Sequence, residues 1–176
     1  DLYRYGGLRG FAGFLKGLFI PGFWYMFIIR NLSGSQKFGL PWIFFSLLRK
    51  IYGYRYGFQI PASTSIGAGF YIGHFGFLVI NKGAVIGVNC NVAHGVTIGQ
   101  ANRGKFKGCP KIGDNVWIGT GSVVVGNIRI GSNVLIAPNS FVNMDVPENS
   151  LVIGNPAVIK PRDNPTEGYI NHIKEL

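Results

Sequence analysis

The sequence predicts an all-β solenoid of stacked three-sided coils, with short helices before it and a tail after it. Three observations predict it. Aliphatic residues recur every six positions: Ile66, Ile72, then Ile80, Ile86, Val92, Ile98, then Ile112, Ile118, Val124, Ile130, Ile136 and Val142. Seven of these twelve are followed directly by Gly, as in Ile66-Gly67 and Ile118-Gly119. Asn89, Asn91, Asn115 and Asn133 fall where corners are needed. A period of six fits neither a helix nor simple strand alternation, and a repeat is read before local propensity. Short strands joined by tight turns, three to a coil, place every lattice aliphatic inside a triangular prism. Gly and Asn tolerate left-handed backbone angles at its corners. The 27 glycines, roughly twice the usual share, are therefore expected at turns.

The 176 residues suit one domain with an appendage. Hydrophobic residues make up 47% and charged residues 14%, which excludes a disordered polar chain. Composition changes near residue 58. Residues 1–58 hold 17 of the 25 aromatics and eight of the 17 basic residues, with Asp1 as their only acid. Their apolar stretches, 18–29 and 38–48, are broken by Pro21-Gly22 and by Pro41. Neither reaches the ~20 unbroken apolar residues of a spanning helix. Lys16, Arg30, Lys37, Arg49 and Lys50 flank them, with Trp24, Tyr25 and Trp42 inside. Short helices edged by aromatic rings and cations suit a bilayer interface, or packing on a sister subunit. The expected organisation is an aromatic, basic helical segment over 1–58, the β-helix over 59–160 and a tail over 161–176. The net charge of +10 is interleaved with aliphatic runs, a poor match to a nucleic-acid surface. Cys90 and Cys109 form neither a disulfide framework nor a four-ligand zinc site, so a cytoplasmic setting is expected, with no signal peptide read at Asp1.

The lattice breaks twice. Ile72 to Ile80 is eight residues, and the extra pair lies in Gly73-His74-Phe75-Gly76-Phe77. Ile98 to Ile112 is fourteen, which extrudes a loop over 100–110 carrying Arg103, Lys105 and Lys107, expected to be a mobile basic arm. Loops on a rigid scaffold often carry function. With three sides per coil, Ile72, Val92, Ile118 and Ile136 share a side. Two residues on from each stand His74, His94, Thr120 and Pro138, one column with coils about 4.8 Å apart. Two histidines at adjacent turns point to chemistry more than to packing; His172, in the tail, is expected only to be exposed.

Residues 66–160 resemble the hexapeptide acyltransferases, in the serine-acetyltransferase-like branch that includes polysaccharide O-acetyltransferases. Both lattice gaps carry the resemblance, together with the strings His94-Gly95-Val96-Thr97-Ile98-Gly99, Cys109-Pro110-Lys111-Ile112-Gly113, Val116-Trp117-Ile118-Gly119 and Val152-Ile153-Gly154-Asn155-Pro156-Ala157. Likeness to colanic-acid and capsule acetyltransferases extends through Asn81-Lys82 and back into 52–60. The resemblance implies a left-handed parallel β-helix, a homotrimer and acetyl-CoA as co-substrate, with the site in a groove between prisms and no metal. His74 matches the family's general base. Imidazole titrates near enough to neutrality to take a hydroxyl proton during attack on the thioester. CoA would lie along Gly99, Thr120, Ala137 and Pro138, with Lys160 or the basic loop at its phosphates. The acceptor would lie beside Gln59, Asn81, Arg103 and Cys109.

Three positions depart from serine acetyltransferases. The carboxylate that orients their base falls on Gln59, so His94 is expected to support His74. The Arg-His pair associated with serine is Gly108-Cys109 here. The cation that often follows Pro-Ala is replaced by Val158, with Lys160 two further on. The expected activity is therefore acetyl transfer to a sugar hydroxyl in cell-surface polysaccharide synthesis, on a sugar or lipid-linked glycan at the cytoplasmic face of the inner membrane. Serine O-acetylation is the alternative. A γ-type carbonic anhydrase lacks its third histidine here, and a purely structural solenoid needs no paired histidines.

Overall fold

The computed structural model describes residues 1–173. Proline and glycine set the helices: α1 (Gly10–Gly17), α2 (Pro21–Gly34) and α3 (Leu40–Tyr56). α2 and α3 carry Pro in the first turn, where a missing N–H leaves no bond unmade. α3 ends on Gly57 at φ +74°, a left-handed cap that Gly takes without steric cost. α2 is the buried helix. Its Tyr25, Met26 and Ile29 join the solenoid core, and its Trp24 and Phe27 meet Tyr52 and Phe45 of α3.

From Phe58 the chain winds through three sheets in turn. The first stacks β1 (Phe58–Gln59), β4 (Leu78–Ile80), β7 (Thr97–Gly99), β10 (Val123–Val125) and β13 (Phe141–Val142). The second stacks β2 (Ser65–Ile66), β5 (Val85–Ile86), β8 (Lys111–Ile112) and β11 (Arg129–Ile130). The third holds β3 (Tyr71–Ile72), β6 (Asn91–Val92), β9 (Trp117–Ile118), β12 (Val134–Ile136), β14 (Ser150–Ile153) and β15 (Val158–Pro161). Neighbours pair in parallel except β15, which turns back antiparallel on β14. This is the expected parallel β-helix, and all twelve lattice aliphatics are buried in its prism.

Two corner expectations change. Left-handed corners fall on Asn89, Asn115, Asn133, Asn139 and Asn149, at φ 53° to 58°, and on Gly69, Gly95 and Gly121. Asn91 is not among them: it lies buried in β6, where it accepts from the Arg4 guanidinium at 2.6 Å and donates to the Tyr169 carbonyl. Glycines after the lattice aliphatics serve the turns by absence of bulk, not by left-handed angles. A Cβ on Gly67 would stand 2.5 Å from the Gly87 carbonyl carbon, and one on Gly87 would stand 2.6 Å from that of Gly113. Coils stack there too closely for any side chain.

A solenoid leaves its first coil with open backbone groups, which invite wrong pairing unless covered. The amino-terminal segment covers them. Arg30 donates to the carbonyls of Ile66 and Gly67 while held by the Asp1 carboxylate at 3.0 Å. Arg4 donates to the Gly69 carbonyl at 2.7 Å, and the Tyr5 hydroxyl accepts from the Ile72 N–H. Beyond β15 the tail runs back along the third sheet, with Tyr169 against Trp117 and Thr166 donating to Asn133.

Candidate active site

Register places the two histidines. Ile72 pairs with Val92 across β3 and β6, and Val92 with Ile118 across β6 and β9. Two residues on, the turns carry His74 and His94 on successive coils, both exposed. Their ring centroids are 5.8 Å apart and nearly perpendicular, an edge-on approach. The column continues through backbone bonds: the His94 carbonyl accepts from Gly121, and the Thr120 carbonyl from Asn139.

The His74 turn is held from outside the solenoid. Gly76 N–H donates to the Tyr56 carbonyl at 2.8 Å, and Leu78 N–H to that of Gly57 at 3.0 Å. The extra pair of residues in the lattice is thus the segment that docks on the C-terminus of α3. A Cβ on Gly57 would stand 3.0 Å from the Phe77 nitrogen, so the approach is close. Sequence reasoning missed this anchor, since nothing in the local pattern ties residues 56 and 57 to residues 76–78. Phe75 and Phe77 flank the histidine as exposed rings.

Gln59 and Asn81 line one cavity of about 960 Å³ between α3 and the first sheet, together with Phe77 of the histidine turn. Arg49, Lys50 and Lys82 line it too, and no carboxylate does among the described residues. These cations are further residues that the sequence did not single out for the site. Asn81 also takes a contact from the Cys109 thiol at 3.4 Å, so those two acceptor-side residues are neighbours. The loop over 100–110 is a hairpin closed at its base by paired backbone bonds between Ala101 and Gly108, with Arg103 exposed on it. Burial pushes the Tyr25 phenol at the cavity wall above its ordinary range.

The residues expected to meet CoA fall in two groups. Thr120 and Pro138 follow the histidines down one column, and Ala137 and Pro138 border a second cavity of about 560 Å³ with Trp117, Leu135 and Arg162. Trp117, Leu135 and Leu151 give that wall its apolar part, and Asp163 and Glu167 line it too. Gly99 lies on a different side, in β7 of the first sheet, and Lys160 is exposed on β15 opposite Leu151. Among the described residues no three His, Cys, Asp or Glu side chains gather to hold a metal ion.

Residues 109–143 match the family model described as bacterial transferase hexapeptide (six repeats). A serine acetyltransferase of Staphylococcus aureus is 41% identical over 107 residues, which is 61% of this chain and 50% of that enzyme. The chain spans half the length, or less, of the curated relatives it matches. Among solved structures, the serine acetyltransferase of Neisseria gonorrhoeae in complex with serine superposes with a TM-score of 0.71 at 31% identity, over 90% of this chain and 64% of that one. The Brucella abortus enzyme in complex with coenzyme A gives 0.66 at 27%, over 87% and 61%.

These relatives correct the expectation of a polysaccharide acetyltransferase acting on a sugar or lipid-linked glycan, and they lend nothing to closeness with colanic-acid or capsule enzymes. The physical reason is that lattice gaps and repeat strings build the coil and the histidine turn, which a whole branch shares. Acceptor choice lies in pocket walls that no such string records. In sequence over residues 109–143 and in shape over most of its length, the chain is similar to hexapeptide-repeat transferases, and the relatives it resembles are serine acetyltransferases.

Proposed function

We propose that the chain moves the acetyl group of acetyl-CoA to the side-chain hydroxyl of serine. The observation that carries this reading is the edge-on pair His74 and His94, on a coil similar to enzymes whose structures hold serine and coenzyme A. His74 takes the hydroxyl proton as the oxygen attacks the thioester carbonyl, and returns it to the departing CoA sulfur. The products are O-acetylserine and CoA thiol, so atoms and protons balance. Backbone N–H groups at the glycine turns stabilise the oxyanion. His94, one coil away, orients His74 where Gln59 replaces a carboxylate. Thr120, Ala137 and Pro138 line the path of the pantetheine arm, and the cations of the larger cavity draw in the serine carboxylate. A neighbouring copy in a homotrimer walls the exposed histidine turn.

The test is direct. Purified protein with acetyl-CoA and serine should release CoA thiol and form O-acetylserine by mass spectrometry, and His74→Ala should form almost none. Absence of O-acetylserine at saturating acetyl-CoA, from folded protein, overturns serine as the acceptor.

A further inference from the structure

The helices carry a face that the acetyl-transfer reading leaves unused. α3 packs its aromatic inner side on α2, yet its outer side is apolar as well. Leu40, Ile43, Phe44, Leu47, Ile51 and Tyr54 recur at three- and four-residue steps, and all are exposed, Leu40 by 84% and Tyr54 by 80%. This is one stripe of a helix turned outward. The end of α1 extends it, because Phe19, 89% exposed, and Ile51 border one cleft of about 530 Å³. A contiguous apolar face of this kind marks an interaction surface.

Charge says what covers it. Lys16, Lys37 and Arg55 are exposed around the stripe. Residues 1–113 hold thirteen cations and a single acid, Asp1, whose carboxylate is bound to Arg30. Among the described residues the other five acids, Asp114, Asp145, Glu148, Asp163 and Glu167, lie on the later coils and the tail. The molecule is thus polarised in charge, with its basic, apolar face at the helices. Two copies meeting face to face through this stripe would bring cations against cations with no carboxylate between them. We propose that the outer face of α1 and α3 docks on an anionic bilayer, with aromatic and aliphatic side chains in the headgroup region and the cations at the lipid phosphates. It lies in the interface rather than spanning it. No single described helix is long and apolar enough to cross a membrane, and α1 and α2, taken together, are bent by 103° with α2 in the core.

Flotation of the full chain with vesicles tests this independently of any acetyl transfer. The chain should float with vesicles rich in phosphatidylglycerol at low salt, and little with pure phosphatidylcholine. Ile43→Glu with Leu47→Glu should lower that partition by ~10-fold or more, at an unchanged melting temperature, since both side chains are exposed. Lys16→Ala with Lys37→Ala should lower it by about 10-fold at low salt and have little effect at high salt. Equal binding to both vesicles, indifferent to salt, overturns the proposal. So does absence of binding by a protein that instead self-associates and is made soluble by the two Glu substitutions, which would assign the face to a second copy.

Discussion

His74 and His94 meet because Ile72 and Val92 are register partners two residues earlier. His74→Ala should lower turnover by ~10²–10⁴-fold, the usual contribution of a positioned base. His94→Ala should cost less, and the double variant less than the product of the two, because the rings act as one unit. The reverse ranking exchanges their roles, and near-normal rates in both single variants remove the mechanism. Cys90 carries a different prediction. Burial pushes its thiol up to about 12 from 9.0. The unfolded chain gives up that proton from about pH 9 while the folded chain keeps it, so the folded state binds more protons. Stability is fully present below about pH 9 and falls as pH rises toward 12. The Tyr5 and Tyr25 phenols, raised by burial, act in the same direction at higher pH. Urea midpoints should drop between about pH 8 and about pH 10.5, and Cys90→Ala should remove the early part of the drop. An identical pH slope in that variant would count against the buried thiol.

At the scale of elements, the helices close an edge that the repeat leaves open. Arg30 covers the carbonyls of Ile66 and Gly67 from α2, and Arg4 that of Gly69. Hydrogen bonds to a charged donor contribute about 1.5–3 kcal/mol each when buried, and the Arg30 side chain is 35% exposed. Arg30→Met should therefore cost about 1–3 kcal/mol in urea unfolding, whereas Arg9→Met, at an exposed position, should cost little. Equal effects would mean that the cap does not hold the first coil. α3 has a second task, since its C-terminus holds the turn that carries His74. Lengthening the helix end or replacing Gly57 reaches the histidine through that turn.

The molecule is asymmetric in charge, with a basic, apolar face at the helices and five of its six described acids from Asp114 onward. A single copy exposes both histidines, so a site that excludes water needs another copy. Sedimentation equilibrium at micromolar concentration should give three times the 19.2 kDa of one chain. A monomer that still transfers acetyl groups would show that one prism suffices.

The repeat determined the coil by itself. Aliphatic residues recur every six positions, so the buried aliphatics, the sides they share and the alignment of His74 with His94 could be read from spacing alone. The handedness and the family chemistry came instead from resemblance, because a period of six is the same for either hand. Other features had no period to betray them. That Asn91 binds Arg4, that Arg49 and Lys50 share a cavity with Gln59, and that Gly76 hangs on Tyr56 each join segments far apart in the chain. The acceptor belongs with these. Hydrogen bonds between coils are repeated by every strand and so are written into the sequence many times, whereas a pocket wall is assembled once, from side chains that only the packing of α3 on the first coil brings together.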